Sequence, residues 1–116
     1  MKKLEINIPI YDQKVEVFLA DEISTIDEYV KDIYAVNLDA TSADLRSAST
    51  YTLPNGIIII GLLPGVIDKV ICHECGHATF ELSNILGINP IYEQETFCYI
   101  QEYLFDKITT WVHKND

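Results

Sequence analysis

Apolar and polar residues alternate along the first twenty positions of the chain. The alternation runs from Lys3 to Ile10 and again from Lys14 to Ala20, and the triplet Tyr11-Asp12-Gln13 separates the two runs. A period of two residues is typical of a strand that buries one face. The first twenty residues are therefore predicted to form an antiparallel β-hairpin.

The period changes after Asp21, where apolar residues begin to recur in steps of three and four. These positions are Ile23, Ile26, Val30 and Ile33. An amphipathic helix requires this spacing, and we predict one from about Ser24 to Val36. The segment that follows, Asn37 to Ser49, is polar and aperiodic, which indicates a loop or a short irregular helix.

A second hairpin is predicted between residues 51 and 62. Tyr51-Thr52-Leu53 is followed by the turn residues Pro54-Asn55-Gly56 and by the apolar run Ile57 to Leu62. Asn-Gly tolerates the positive φ that tight hairpin turns need. Four consecutive isoleucines indicate a strand that is covered on both faces. We further expect this strand to be able to hold an extended peptide by edge pairing.

Two longer helices complete the pattern. Pro64 can open the first, and Gly87 can end it in the left-handed conformation. The second is predicted from about Tyr92 to His113, and its apolar positions are Phe97, Ile100, Leu104, Ile108 and Trp111. The chain is therefore expected to be a single α+β domain over residues 1–116, with a small, mostly antiparallel sheet and three helices.

Charge and composition narrow the classes of function. Eight Lys and Arg against eighteen Asp and Glu give a net charge of −10, which disfavours binding to nucleic acid or to an anionic membrane surface. Glu5 and Asn7 interrupt what would be the apolar core of a signal peptide, and Ile57 to Ile60 is far too short to span a membrane. Three cysteines, an odd number, fit a reducing compartment. We therefore expect a cytoplasmic protein.

A metal-ligand motif of the form HExxH lies within the first of these two helices, at His73-Glu74-Cys75-Gly76-His77. With 3.6 residues per turn, His73 and His77 lie about 40° apart in projection, so both imidazoles can reach one metal ion. Glu74 lies at the border of that face, where it can accept a proton from a water that the metal activates. Gly76 removes a side chain beside the metal. The spacing predicts one Zn²⁺ on His73 and His77, with Glu74 as general base.

A catalytic zinc normally takes a third protein ligand. Cys75 projects about 180° from the histidine pair on a regular helix, and Cys72 is also turned away. Glu95 is the first candidate, because it opens the last helix and the turn at Gly87 to Pro90 can bring that helix back antiparallel. An acidic residue in a first turn is also explained by the helix dipole. The alternative ligands are Glu93 and Glu102.

The HExxH helix that ends at a glycine, followed by Glu95-Thr96-Phe97-Cys98-Tyr99, resembles the gluzincin arrangement of zincin metallopeptidases. The sequence of these motifs is similar to that of small phage-encoded minimal zincins, and the resemblance covers about residues 57 to 108. It implies a zincin-like fold in which His73, His77 and Glu95 hold zinc and Glu74 acts as the base.

A hydrolase also needs a donor for the oxyanion of its transition state. Tyr99 is the first choice, because it projects on the same helix face as Glu95, although tyrosines in a small domain mostly serve packing. The other available side chains are Tyr92, Tyr103, Arg46 and His113.

The cysteines give a competing motif, since Cys72 and Cys75 also spell CxxC. Redox CxxC pairs work at a helix N-terminus, where the dipole lowers a thiol pKa, whereas this pair is expected about two turns into its helix. A packing or surface role is therefore favoured for both. Cys98 is expected to be a packed small hydrophobe.

Two functions from different classes follow. The first is a zinc-dependent hydrolase, most simply a metallopeptidase that acts on a peptide or protein substrate. The second is a non-catalytic, zinc-stabilised module of phage or bacterial origin, which binds a partner protein through its acidic surface. Cleavage of peptides that depends on Glu74 distinguishes the first from the second.

Overall fold

The computed structural model describes residues 1–35 and 48–116. In chain order the elements are β1 (Lys2–Ile8), β2 (Gln13–Leu19), α1 (Ile23–Tyr34), β3 (Ala48–Thr52), β4 (Ile58–Leu62), α2 (Asp68–Leu86) and α3 (Gln94–Asn115). The loop predicted over residues 37–49 lies outside the described residues except for its last two positions, which begin β3. The predicted end of the first helix, Val36, also lies outside them.

The four strands form one mixed sheet in the order β1-β2-β4-β3. The two predicted hairpins are confirmed: β1 pairs antiparallel with β2, and β3 pairs antiparallel with β4. The hairpins are joined through a parallel pairing of β2 with β4, in which Val17 lies opposite Ile60. The predicted α+β class, with a mostly antiparallel sheet and three helices, is therefore confirmed.

The two faces of the sheet bury different sets of side chains. On one face, α1 covers a smaller apolar cluster that includes Phe18, Ile23, Ile26, Val30 and Ile59. On the other face, α2 and α3 cover a larger one that includes Val17, Ile60, Ile71, Leu82, Leu104 and Ile108. Alternate residues of β2 and β4 supply both clusters, as the period of a strand requires. The sheet therefore holds α2 and α3 on the same side.

The central position of β4 corrects one expectation. Strand β4 lies between β2 and β3, and every residue of Ile58–Leu62 is buried. The isoleucine run is covered on both faces, as predicted, but its hydrogen-bonding edges are both occupied, so the prediction that it pairs with a peptide is wrong. Among residues 1–35 and 48–116, the outermost strand on this side of the sheet is β3, whose sequence is Ala-Ser-Thr-Tyr-Thr.

Helix α2 begins at Asp68, later than Pro64, and ends at Leu86. Gly87 follows with φ of 72°, the left-handed cap that its position predicted. The core face of α2 is formed by Ile71, Cys75, Ala78 and Leu82. Ile67 and Ile85, which the helical period would also place on this apolar stripe, are exposed.

A buried carboxylate lies on the α1 face of the sheet. Glu16 of β2 is fully buried, accepts a hydrogen bond from the Tyr34 hydroxyl and has Lys3 Nζ at 2.9 Å. Burial and the hydrogen bond to Glu16 raise the pKa of Tyr34 to about 12. The hydrogen bond to Glu16 raises the pKa of Lys3 as well. Since a buried charge is stable only when it is paired, this triad ties the end of α1 to β1 and β2.

Among the helices formed by residues 1–35 and 48–116, none has the length and apolar character needed to cross a membrane.

Candidate metal centre

The two histidines of the HExxH motif lie side by side on the exposed face of α2. His73 Nε2 and His77 Nε2 are 3.1 Å apart, and the rings meet edge to face with centroids 4.7 Å apart. The helix is regular through this region, so the spacing of four residues brings the two rings one above the other, as predicted.

The distance between these two nitrogens allows a test of whether zinc fits. Two nitrogens that bind one tetrahedral zinc at about 2.0–2.1 Å are about 3.3 Å apart. The 3.1 Å separation of His73 Nε2 and His77 Nε2 is close to that value. The histidine pair therefore fits two corners of a tetrahedral site with little side-chain movement.

Glu74 is held differently from the two histidines beside it. Its side chain is buried, with 6% of the residue exposed, and its carboxylate accepts a hydrogen bond from the Thr50 hydroxyl of β3. The same hydroxyl lies 3.4 Å from the main-chain oxygen of Glu74. Glu74 is therefore directed from α2 toward the edge strand, where Thr50 holds its carboxylate.

A groove of about 1030 Å³ runs between strand β3 and the exposed face of α2. Its polar and charged lining is formed by Ser49, Thr50, Thr52, Lys69, Cys72, His73, Glu74, His77 and Glu81, and Ala48 and Val70 complete it. We call this cavity the β3–α2 groove. It holds both histidines and the candidate base, and one wall is β3, the outer strand on that side of the described sheet.

The predicted third ligand, Glu95, lies elsewhere. It is exposed in the first turn of α3 and does not line the β3–α2 groove. Helix α3 meets α2 through Phe97, whose ring centroid lies 4.8 Å from that of Phe80, and through Gln101, which faces Gly76. With the two helices in this register, Glu95 lies about 7 Å past His77, measured along the α2 axis. Its side chain projects roughly 160° around the α3 axis from that of Phe97.

Within the described part of the chain, no group of three His, Cys, Asp or Glu side chains is arranged to hold a metal ion. The zinc prediction therefore rests on the histidine pair, and the role of Glu95 stays a prediction. The two alternative third ligands do not line the groove either. Glu102 is exposed outside it, and Glu93 accepts a hydrogen bond from the Asn89 N–H at 3.0 Å in the turn before α3.

The structure does not bring Tyr99 to the histidine pair. Tyr99 is exposed and lines a separate apolar cavity of about 320 Å³ with Ile8, Pro9, Tyr11, Thr96, Ile100 and Tyr103. Tyr92 is also exposed, and His113 lies 2.9 Å from Asp68 at the opposite end of α3. Arg46 lies outside the described residues. No oxyanion donor is thus identified among the side chains that the sequence offered and the structure describes.

The cysteines differ from expectation at two positions. Cys75 is fully buried in the core, where burial raises the pKa of its thiol to about 12, and it does not line the groove. Cys72 was expected to point away from the histidines, yet it lines the groove with them. Cys98 was expected to be packed, but it is exposed.

Gly76 also has a different neighbour from the one expected. A Cβ at this position would meet Gln101 Nε2 at 3.9 Å, and Gly76 does not line the groove. The glycine therefore lies toward α3, and it is not needed to make room for a metal.

Thr50, Lys69 and Glu81 are among the groove residues that the sequence did not single out. Thr50 belongs to a strand whose partner and distance from α2 are set by tertiary structure. Lys69 and Glu81 carry a weak sequence signal, because each lies four residues from a histidine and a helix places such positions on one face.

Comparison with family models gave no match to this sequence, and comparisons with curated proteins and with solved structures gave none either.

Proposed function

We propose that this protein is a zinc-dependent hydrolase, most simply a peptidase, with the β3–α2 groove as its active site. The observation that carries the proposal is the arrangement of His73, His77 and Glu74. Two imidazole nitrogens lie 3.1 Å apart, and the buried Glu74 carboxylate, held by Thr50, lines the same groove. A zinc ion on the pair would polarise a carbonyl and increase the acidity of water.

The other roles in the reaction, which are metal binding, proton transfer and orientation of the base, belong to side chains of the groove. Imidazoles of His73 and His77 supply neutral nitrogen ligands. Glu74 accepts a proton at a carboxylate oxygen from a water in the groove and can later deliver that proton to the leaving amine. The Thr50 hydroxyl orients the carboxylate, so that its second oxygen is left to meet the water. In this proposal Glu74 transfers protons, whereas His73 and His77 bind the ion.

Strand β3 supports a peptide as substrate. It is the edge of the sheet, and it borders the groove through Ala48, Ser49, Thr50 and Thr52. An edge strand presents unpaired N–H and C=O groups, which bind an extended peptide by adding one more strand. Such a peptide would lie between β3 and the histidine pair, where its main-chain carbonyls pass the metal ligands.

We infer that the protein works in a reducing compartment, as the cytoplasm is. Cys72 and Cys98 are both exposed, and neither forms a disulfide. Exposed unpaired thiols persist where thiols are kept reduced.

The second function is a zinc-stabilised binding module without activity, and one observation counts against catalysis. The described residues contain no group of three His, Cys, Asp or Glu side chains that could hold a metal ion, whereas a catalytic zinc normally has three protein ligands. In that case the edge strand and the acidic surface would bind a partner protein that is not cleaved.

A cleavage assay separates the two functions. The protein is loaded with one equivalent of zinc and incubated with a peptide library, and the products are identified by mass spectrometry. Cleavage that disappears on chelation and in Glu74→Gln supports the hydrolase. The proposal is overturned if the zinc-loaded, folded protein cleaves no peptide, or if Glu74→Gln cleaves as fast as the parent.

A further inference from the structure

Four residues at successive four-residue steps line the same groove: Lys69, His73, His77 and Glu81. Positions four apart form one row along a helix, so the two charged residues extend the histidine row by one turn at each end. Lys69 and Glu81 are equally far from the midpoint of the pair, about 9 Å along the helix axis on either side. The groove thus has a positive and a negative end with the metal ligands at its centre.

Both charges are available to a ligand. Lys69 and Glu81 are exposed, and neither takes part in any of the ion pairs formed within the described ranges. A charge that is not neutralised by its own chain interacts with a ligand that lies beside it.

The ends of the groove can be assigned relative to strand β3. Ala48 pairs with Leu62, the last residue of β4, and a short connection leads from Leu62 to the start of α2. The Ala48 end of β3 therefore lies toward Lys69, and the Thr52 end lies toward Glu81. An antiparallel peptide, the slightly more stable pairing, would enter with its N-terminal part beside Glu81 and its C-terminal part beside Lys69.

We propose, on the basis of the proposed peptidase function, that Lys69 and Glu81 select peptides of a defined charge order. A strand rises about 3.3 Å per residue, so a distance of 9 Å corresponds to about three residues. The preferred peptide carries a basic residue about three positions before the bond at the histidine pair and an acidic residue about three positions after it. The overall charge of −10 assists the approach of its basic end.

The test uses two peptides of the same composition. One has Arg on the N-terminal side and Glu on the C-terminal side of a shared apolar centre, and the other has these two residues exchanged. Binding is measured by fluorescence anisotropy on zinc-loaded Glu74→Gln protein, which retains both charges, and cleavage is measured on the parent protein. The double variant Lys69→Glu with Glu81→Lys is compared, as is the control pair Glu28→Lys with Lys31→Glu on α1, which has the same net charge.

The Arg-first peptide is expected to bind the parent groove more tightly, by about twofold to fivefold for each charge contact, and the preference weakens as salt is raised. The double variant reverses the preference, whereas the α1 pair leaves it unchanged. Zinc content is checked in all proteins, so that any loss of metal on changing Glu81 is seen directly.

Equal affinity for the two peptides, or an unchanged preference in the double variant, overturns the charge selection. Because this result comes from binding, it does not depend on turnover. Absence of cleavage in the parent protein with the binding preference intact overturns the hydrolase alone and leaves the charge order of the groove standing.

Discussion

The Thr50 hydroxyl of edge strand β3 donates a hydrogen bond to the buried carboxylate of Glu74 on α2. The contact joins residues 24 positions apart in sequence and links the two walls of the groove. A carboxylate in a largely buried position needs such a donor, and here the hydroxyl bonds Oε2. Strand β3 therefore lines the groove and also holds the side chain that we propose as the base.

We predict that Thr50→Val lowers kcat by about tenfold to a hundredfold, the usual cost of losing a group that orients an active residue. Zinc content should be unchanged, since the Thr50 hydroxyl bonds Glu74 and not a proposed metal ligand. Thr50→Ser keeps the hydroxyl and should retain most of the activity. Thr110→Val on the exposed side of α3 is the matched control. Steady-state kinetics of the four proteins decides the matter, and a Thr50→Val enzyme of parental kcat would contradict the role given to Thr50.

Zinc binding is predicted to require both histidines of the pair. His73→Ala and His77→Ala should each reduce the metal content of reconstituted protein well below one zinc per chain, because a single imidazole is a weak ligand. His113→Ala is the internal control, since His113 lies next to Asp68 at the other end of α3. Elemental analysis after dialysis measures the result. Stoichiometric zinc in either variant of the pair would refute the assignment.

The role of Glu95 as third ligand is tested by zinc affinity. It requires the first turn of α3 to shift toward His77 when the metal binds, because the register set by Phe80 and Phe97 holds Glu95 away from it. If that shift occurs, Glu95→Gln should weaken zinc binding by more than about tenfold, and the exposed Glu102→Gln should not. Competition with a chromogenic chelator gives both values. Equal affinities would exclude Glu95.

Stability is predicted to fall at high pH through Tyr34. Burial and the hydrogen bond to Glu16 raise the pKa of Tyr34 to about 12 from 10.0. Below pH 10 the phenol is protonated in both states, so its contribution is fully present; between pH 10 and 12 the unfolded chain loses the proton first, and the contribution is lost. The free energy of unfolding of Tyr34→Phe should therefore fall less than that of the parent protein between pH 10 and 12.

Urea unfolding between pH 9 and 12 measures this effect, and Tyr92→Phe is the control because Tyr92 is exposed. Cys75, whose thiol pKa is also raised to about 12, acts in the same direction and in an overlapping range. The pH dependence of the unfolding free energy is therefore compared between the variants, because it is not expected to vanish in Tyr34→Phe. A Tyr34→Phe protein with the same pH dependence as the parent would contradict the prediction.

The β1–β2 turn holds an avoidable strain. Ile10 has φ of 76° and is 97% exposed, and a β-branched residue is rare in this region because its Cβ collides with the backbone. Ile10→Asn should stabilise the protein by about 0.5–1 kcal/mol, since asparagine tolerates the conformation and no buried contact is lost. Thermal unfolding checks it against Ile91→Asn, which is exposed without a positive φ. No gain over that control would show that the turn relaxes in solution.

The local pattern of apolar residues was sufficient to predict the helices and strands. It was not sufficient to predict which strands pair. The four isoleucines correctly predicted a strand covered on both faces, but periodicity carries no information about which strand lies beside it. The parallel pairing of β2 with β4 made Ile57 to Leu62 central and gave the edge to β3. Likewise, the HExxH spacing fixed His73 and His77 relative to each other, because both lie on one helix. The position of Glu95 depends on how α3 slides along α2, and side-chain packing sets that register.

The open edge of β3 has a consequence for self-association. A strand that can accept a peptide can also accept the same strand from another copy, which is the usual first step of edge-to-edge aggregation. The length and chemistry of β3 reduce this hazard: it has five residues, and Ser49, Thr50, Tyr51 and Thr52 carry hydroxyl groups in place of an apolar surface. A net charge of −10 adds repulsion between copies. Among the described residues no further strand covers the outer edge of β3, and association between copies is expected first where salt screens their charge.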